Sequence, residues 1–310
     1  MKNKSIGIIG YASGIGGRVL GAKDGPNKQR ELGLFPRLNA LGASVKDFGN
    51  AEAGISEEES AEIRALFSDE ERLANNVSEV YKACRELNGL VKECLEDGNT
   101  PLVLGGAHSC SIGTVPAISD FYKDKNIGLI WVDTHADLHT PESSDSKNIH
   151  GMSVAFLSGR TPGAFQDLGA NKPSVKEENI AYLGLREVDR PEAEYIKNSK
   201  INAYTMKDID IYGVASVVEK AIEAASKDTA GFVVSFDLDV CDPNYAPATG
   251  TPCRGGLSFR EAHLVMELLH DSGKLLGLEF VEYNPSLDEN DITGDLSIAL
   301  MESAFGKSII

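Results

Sequence analysis

The stretch IGLIWVDTHADLHTP, residues 127–141, places an uninterrupted apolar run directly before a segment of aspartates and histidines. An apolar run without polar alternation is typical of a strand that is covered on both faces, as strands in parallel sheets are. In open α/β sheets the chemistry takes place outside the carboxyl ends of such strands. The stretch therefore predicts a buried strand that delivers ionisable side chains to a functional edge of a sheet.

Similar apolar runs recur along the chain and alternate with longer amphipathic stretches. The predicted strands are SIGIIG (5–10), PLVLGG (101–106), IGLIWVD (127–133), IAYLGL (180–185), GFVVSFDLD (231–239) and LLGLEFVEYNP (275–285). Apolar residues at helical spacing predict helices within residues 71–98, 213–228 and 258–273. Because no linker, internal repeat or low-complexity tract divides the chain, we expect one α/β domain over residues 1–310, with helices on both faces of a mostly parallel sheet.

The composition limits the classes of partner. The formal net charge is −17, and 42% of the residues are hydrophobic and 25% charged. Nucleic acids and anionic membranes are bound through Lys and Arg, so neither is expected as a partner, whereas an acidic field favours a cationic small-molecule ligand.

The cellular compartment is predicted from three absences in the sequence. No stretch approaches the ~18 apolar residues of a membrane span. The N-terminal segment is interpreted as a strand and loop, because its apolar part is too short and glycine-broken for a signal peptide. The five cysteines are odd in number and show no CxxC spacing, which argues for reduced thiols and against disulfides or a structural zinc site. A cytoplasmic protein is therefore expected.

Ligand-type side chains follow three of the predicted strands. They are His108 after the strand within 101–106, Asp133, His135 and Asp137 after the strand within 127–133, and Asp237, Asp239 and Asp242 around the end of the strand within 231–239. Strand side chains alternate, so Asp133, His135 and Asp137 should point one way, as should Asp237 and Asp239. Each has a structural explanation when taken singly, such as a turn at Asp242 or a helix cap. Together they predict a metal site, because four converging carboxylates would repel one another without a cation.

This donor set indicates two ions rather than one. Two imidazoles and four carboxylates exceed the needs of a tetrahedral site, so two ions about 3.5–4 Å apart, bridged by carboxylates and a water, are predicted. Oxygen-rich ligands with two imidazoles suit Mn²⁺, and Co²⁺, Ni²⁺, Fe²⁺ and Zn²⁺ are alternatives for the same site.

The motifs GGAHS, DTHADLHTP…SKNIHG, SFDLDVCDPNYAPATGTPCRGG and EYNP, in this order and at these separations, resemble the ureohydrolase superfamily, and most closely the arginases. The resemblance extends from IGIIG…GP near the start to the helix before the C-terminus. It implies a single three-layer α/β/α domain that holds two Mn²⁺ ions with a bridging hydroxide and hydrolyses L-arginine to L-ornithine and urea. It also implies a homotrimer or homohexamer.

The resemblance assigns roles to individual residues. The implied metal ligands are His108, Asp133, His135, Asp137, Asp237 and Asp239, and Asp137 is also counted as catalytic. His150 matches the proton shuttle that protonates the leaving amine, and Glu282 matches the carboxylate that pairs with the substrate guanidinium. The implied contacts to the rest of the substrate are Thr251 beside Glu282, Ser146 and Asn148 to the α-carboxylate, and Asp189 and Glu192 to the α-amino group.

The chain departs from the arginase pattern at three positions. His139 replaces an asparagine and is expected to offer the α-carboxylate a donor, Ala107 replaces an aspartate, and Lys147 replaces a small residue. None of the three is a predicted metal ligand, but two lie where the amino acid end of arginine would bind. Agmatinase, guanidino-acid hydrolase and formiminoglutamase activities therefore stay open.

Two other classes are considered. A metal-stabilised scaffold without activity is one alternative, which a metal-dependent urea-release assay distinguishes from an enzyme. A nicotinamide enzyme is disfavoured, because the glycine-rich loop GYASGIGGRVLG (10–21) lacks the GxGxxG spacing and no acidic residue closes a second strand about twenty positions on.

Overall fold

The computed structural model describes residues 5–52, 54–123 and 125–309. The strands are β1 Ser5–Ala12, β2 Ser44–Glu52, β3 Thr100–Leu104, β4 Asn126–Val132, β5 Ile180–Leu185, β6 Asn202–Thr205, β7 Thr229–Asp237 and β8 Leu275–Val281. The helices are α1 Gly25–Glu31, α2 Leu34–Ala40, α3 Glu57–Arg64, α4 Val77–Glu96, α5 Ser111–Phe121, α6 Ser153–Ser158, α7 Arg190–Asn198, α8 Met206–Tyr212, α9 Val214–Ser226, α10 Phe259–Asp271 and α11 Ile292–Ala304. Short 3₁₀ turns occur in the connections.

The strands form one sheet in which every pair of neighbours is parallel, in the order β2-β1-β3-β8-β7-β4-β5-β6. Along β4, Leu129 and Trp131 pack into a core with α4, α5 and α6, whereas Ile130 and Val132 pack on the other face with α9, α10 and α11. Burial on both faces explains the unbroken apolar run of this strand. The three-layer α/β/α prediction is confirmed, and the sheet is parallel throughout.

All six predicted strands and all three predicted helices are present, with ends shifted by a few residues. The sequence analysis missed β2 and β6, which form the two edges of the sheet. Only Ala51 of β2 is buried, and no residue of β6 is. Edge strands of this kind carry polar side chains that discourage pairing with other chains, so they lack the apolar run that marks a central strand.

Two expectations about the chain as a whole can be compared with the structure. All five cysteines are free thiols, in agreement with the prediction from their spacing. Among the described residues, no helix has the length and apolar character needed to cross a membrane.

The carboxyl ends of β3, β8, β7 and β4 lie side by side at the centre of the sheet. Gly106, just beyond β3, is hydrogen-bonded from its N–H to the carbonyl of Tyr11 at 2.9 Å. A Cβ at this position would lie 2.1 Å from the carbonyl oxygen of Ser13, so only glycine allows so close an approach. This contact brings the segment that carries His108 to the same edge as the residues that follow β4, β7 and β8.

Candidate metal and substrate site

The first group of ligand-type side chains surrounds the buried imidazole of His108. Its Nδ1 lies 3.1 Å from Oδ2 of Asp133 and 3.2 Å from Oδ2 of both Asp137 and Asp237. Despite these distances, Nδ1 forms no hydrogen bond of acceptable geometry. A buried nitrogen that faces three carboxylates without bonding to them is expected where all four atoms point at a shared cation.

The second group surrounds His135 and shares a member with the first. Nδ1 of His135 lies 3.1 Å from Oδ2 of Asp239 and 3.4 Å from Oδ1 of Asp133. Asp133 thus presents one oxygen to His108 and the other to His135. The structure brings all six predicted ligands together, with Asp133 where a carboxylate bridging two ions would lie.

The backbone that brings these side chains together is not the regular strand that the sequence analysis predicts. β4 ends at Val132, so Asp133, His135 and Asp137 lie beyond the strand, where side chains no longer alternate regularly. Asp137 has a φ of 47°, a left-handed conformation that is uncommon outside glycine and is found at functional sites. Asp133 is fixed by hydrogen bonds from the indole N–H of Trp131 at 2.9 Å and the backbone N–H of His135 at 2.7 Å. Loop conformation and hydrogen bonds orient this group.

Crowding changes the pKa values of these carboxyl groups. Burial, followed by the charge of Asp133, raises the pKa of Asp137 and of Asp239. Burial and the charges of Asp239 and Asp133 raise the pKa of Asp237 well above its usual range. For Asp133 itself, burial acts upward but the neighbouring imidazoles lower the pKa overall. Divalent cations would relieve the repulsion that raises the other three values, so the donor set fits metal ions.

Glu282 and His150 form a buried pair beside the two groups. Oε1 of Glu282 accepts hydrogen bonds from the backbone N–H of His108 at 2.8 Å and from Nδ1 of His150 at 3.1 Å. Burial opposes protonation of His150, but the hydrogen bond to Glu282 and the charges of Glu282 and Asp137 outweigh it and raise the pKa of His150. His150 therefore holds a proton more firmly than an exposed histidine does.

A cavity of about 510 Å³ opens onto these groups, which is a volume typical of small-molecule sites. Its lining consists of Arg18, His135, Asp137, His139, His150, Gly151, Glu187, Asp189, Glu192, Asp237, Gly250, Thr251 and Pro252. Thr251 donates a hydrogen bond to Oδ2 of Asp239 at 2.9 Å, so it contacts the ligand group directly. We call the part beside the two ligand groups the inner end, and the part formed by Arg18, His139, Glu187, Asp189 and Glu192 the rim.

At the rim, His139 contacts acidic side chains. Its Nε2 lies 3.0 Å from Oδ2 of Asp189 and 3.5 Å from Oε2 of Glu192, and its Nδ1 lies 3.1 Å from the hydroxyl of Ser143. Glu192 is buried and accepts hydrogen bonds from the backbone N–H groups of Leu138 at 2.8 Å and Asp189 at 3.2 Å. The expected carboxylate donor His139 is thus engaged by the two expected acceptors of the α-amino group.

Ser146 and Asn148 lie on a loop outside the cavity lining, as far as the described residues define it. The side-chain amide of Asn75 donates to the carbonyl of Ser146 at 3.0 Å and to Oδ1 of Asn148 at 3.2 Å. Lys147, between them, donates its ammonium group to the carbonyl oxygens of Pro141 at 2.8 Å and Glu142 at 3.2 Å. In this conformation Asn75 and the carbonyl groups of Pro141 and Glu142 engage polar groups of the loop.

Sequence reasoning missed two residues of the rim, Arg18 and Glu187. Arg18 comes from the glycine-rich loop that follows β1 and is the only lysine or arginine in the described lining. This loop packs against the opposite wall, since a Cβ at Gly250 would lie 2.9 Å from Cγ2 of Val19. Glu187 lies 3.5 Å from Nε2 of His135. The signal for both was their position after a predicted strand, at the edge where sites form.

The fold and the site define a class: an α/β protein whose all-parallel sheet carries two metal-binding groups of imidazoles and carboxylates at its carboxyl end. Residues 4–306 match the Arginase family. An arginase from Staphylococcus aureus (strain MRSA252) is 40% identical over 310 residues, covering 100% of this chain and 99% of the relative.

Solved structures agree with the sequence match. The arginase structure from Bacillus caldovelox has a TM-score of 0.90 and 36% identity, with 99% of this chain and 100% of that chain covered. An Entamoeba histolytica arginase structure in complex with L-ornithine has a TM-score of 0.87 and 28% identity at 99% and 100% coverage. The chain therefore belongs to the arginase family. It is a hydrolase that acts on the amidine carbon of a guanidino group.

Proposed function

We propose that this protein hydrolyses L-arginine to L-ornithine and urea with the help of two Mn²⁺ ions. The observation that carries the proposal is the pair of ligand groups that share Asp133, one around His108 and one around His135. Oxygen-rich ligands with one imidazole for each ion suit Mn²⁺, and Co²⁺, Ni²⁺, Fe²⁺ and Zn²⁺ are the alternatives. When bound, such a pair supplies a nucleophile from water at neutral pH.

The protein groups around the reacting centre support the same reaction. Oε2 of Glu282 forms no hydrogen bond in the described part of the chain, so it is available to a planar guanidinium that enters the cavity. His150, on Oε1 of the same carboxylate, holds a proton that the leaving amine needs when the tetrahedral intermediate collapses. Asp137 and Thr251 also line the cavity.

The rim supports an amino acid as the substrate. Asp189 and Glu192 are acceptors for an α-ammonium group, in keeping with a cationic ligand. Arg18 is a cationic donor for an α-carboxylate, in addition to the proposed donors Ser146 and Asn148. The relatives named arginase, and the complex of one of them with L-ornithine, favour arginine over substrates that lack either group.

The testing experiment is a panel of guanidino and formimino substrates with the Mn²⁺-loaded protein, read out as urea or formamide. L-Arginine should give the highest kcat/KM. A higher value for agmatine, for a guanidino acid without an α-amino group, or for formiminoglutamate would contradict the proposal and identify the alternative. No release from any substrate, with metal bound, would indicate the inactive scaffold.

We also propose that residues 1–310 form a single ureohydrolase domain, that the protein is cytoplasmic, and that it assembles as a homotrimer or homohexamer. The family match over residues 4–306 supports the single domain, and the free cysteines suit a reducing compartment. The assembly is what the resemblance to the ureohydrolases implies. Light scattering at micromolar concentration tests the assembly, and a monomer would contradict it.

A further inference from the structure

Behind the ligand groups, a carboxylate lies buried in the middle of the sheet. Glu279 belongs to β8, has no exposed surface, and lies opposite Ser235 of β7 in the ladder. It forms no ion pair with any described residue, although it accepts hydrogen bonds from the hydroxyl of Ser111 at 2.6 Å and the thiol of Cys110 at 3.6 Å. Burying a carboxylate without a cation beside it is costly.

Glu279 is the end of a hydrogen-bonded chain that begins at a metal-ligand imidazole. Nε2 of His108 lies 2.8 Å from Oγ of Ser235, which lies 3.2 Å from Oγ of Ser111, the donor to Glu279. All four residues are buried. Solvent therefore does not compete for any of these bonds.

The carboxylate fixes the direction of every bond in this chain. A carboxylate only accepts, so Ser111 must donate to Glu279 and is left to accept from Ser235. Ser235 in turn accepts from His108, which requires the proton of that imidazole to be on Nε2. The lone pair of Nδ1 then faces Asp133, Asp137 and Asp237, where an ion would be bound.

The ring plane of His108 is fixed separately. The imidazole stacks on the indole of Trp131, with ring centroids 3.9 Å apart and an interplanar angle of 5°. Stacking fixes the plane of the ring but does not select the tautomer. The chain through Ser235 and Ser111 supplies that selection.

We infer that Glu279 is a positioning residue for the metal centre, which acts through Ser111 and Ser235 to hold His108 in the tautomer that presents Nδ1 as a ligand. Carboxylates commonly orient metal-binding histidines by a direct hydrogen bond, and here two hydroxyl groups extend that connection. The inference rests on the metal centre of the proposed function. Glu279 does not line the cavity as described and has no contact with substrate in this role.

The test compares Mn²⁺ binding to chelator-stripped wild type, Glu279→Gln and Ser111→Ala by calorimetric titration. Each variant should bind one of the two ions, the one that His108 would hold, about 10–100-fold less tightly, the usual effect of losing a partner of a ligand. The double variant should be no weaker than the worse single variant, because Ser111→Ala breaks the chain and Glu279→Gln removes the acceptor-only group that fixes its direction. At saturating Mn²⁺, each variant should recover most of the wild-type kcat.

Glu71→Gln is the matched control, because Glu71 is also buried and accepts hydrogen bonds from the backbone of Ala164 at 2.7 Å and from Ser68. It should change the midpoint of thermal unfolding without changing the Mn²⁺ affinity. Wild-type affinity in Glu279→Gln, or fully additive losses in the double variant, would overturn the inference while leaving the proposed function intact. Failure of the wild type to bind Mn²⁺ would instead remove the metal centre on which both depend.

Discussion

The inner end and the rim of the cavity are built differently. At the inner end, nitrogen and oxygen atoms of the side chains at or after the ends of β3, β4 and β7 lie 3.1 to 3.4 Å apart, and all of these residues except His135 are buried. At the rim, the side chain of Asp189 is 74% exposed, and its partner His139 lies on the loop that follows β4. The comparison indicates that the reaction depends on crowded, mostly buried groups gathered at the carboxyl end of the sheet, whereas the choice of substrate depends on a rim that includes an exposed carboxylate.

The largest expected effect is the removal of Asp133, the residue shared by the two ligand groups. Asp133→Ala should abolish activity and bind less than one equivalent of metal, because both groups lose an oxygen donor. Thermal unfolding with increasing Mn²⁺ measures binding independently of turnover. Wild type should gain about 2.7 kcal/mol at a metal concentration 100-fold above Kd, and the variant should not.

Asp242→Asn is the matched control for that variant. Asp242 follows β7, the strand that also leads to the predicted ligands Asp237 and Asp239, but it accepts hydrogen bonds from the backbone of Asn244 at 3.0 Å and Gly255 at 2.8 Å, which is turn chemistry. It should retain both metal and activity. Undiminished turnover in Asp133→Ala would contradict the assignment of the inner end.

Sequence reasoning was most successful where the sheet fixes position. The six side chains predicted as ligands do gather around His108 and His135, because apolar runs mark central strands and their carboxyl ends must meet at one edge. It failed at β2 and β6, since polar edge strands have no apolar run. The left-handed backbone of Asp137 was also beyond reach, because the sequence there contains no glycine or turn motif that signals it.

The loops near the cavity show the limit of sequence-based prediction more clearly. Loop residues take their positions from hydrogen bonds made across many residues, such as those from Asn75 to the segment of Ser146 and Asn148. No local spacing predicts these bonds. Arg18 was missed because its glycine-rich loop was considered only as a dinucleotide-binding motif and not as part of a substrate site.

The second prediction separates the proposed proton shuttle, His150, from the metal ligands. His150→Ala should lower kcat by about 10²–10⁴-fold, the usual range for a lost general acid, while metal content stays at the wild-type level. His150 contacts Glu282 rather than a ligand carboxylate, which is why the two effects should separate. Elemental analysis beside steady-state kinetics measures both.

His263→Gln controls for the loss of a buried histidine, because His263 bonds to Ser303 at 2.8 Å between α10 and α11. If metal content in His150→Ala fell in proportion to kcat, His150 would be a metal ligand and its assignment as the proton shuttle would be wrong.

The third prediction tests the rim through its cation. Arg18→Gln should raise KM for L-arginine by about 10-fold or more, since hydrogen bonds to charged groups contribute about 1.5–3 kcal/mol. The inhibition constant of agmatine, which lacks the carboxylate, should not change. Arg190→Gln is the control, because the side chain of Arg190 is 89% exposed and pairs with Glu194 at 2.7 Å, outside the described lining. An equal change for arginine and agmatine would show that Arg18 has only a structural or general electrostatic role.

The smallest expected effect is that of His139→Asn, because His139 pairs with an exposed carboxylate and such pairs contribute about 1 kcal/mol or less. His139 contacts both acceptors that the α-ammonium of a substrate would use, Asp189 and Glu192. The shorter asparagine should leave these acceptors to the substrate and strengthen its binding by a factor of about five at most.

Three ligands separate this role of His139 from the expected contact with the carboxylate. Arginine carries both the amino group and the carboxylate, agmatine only the amino group, and 4-guanidinobutyrate only the carboxylate. If His139 competes for the acceptors, His139→Asn should lower KM for arginine and the inhibition constant of agmatine, and leave 4-guanidinobutyrate unchanged. If His139 binds the carboxylate instead, arginine and 4-guanidinobutyrate should bind more weakly and agmatine should not change. The binding of agmatine and 4-guanidinobutyrate is measured as inhibition of arginine hydrolysis. The two roles of His139 can therefore be distinguished even if neither analogue is hydrolysed.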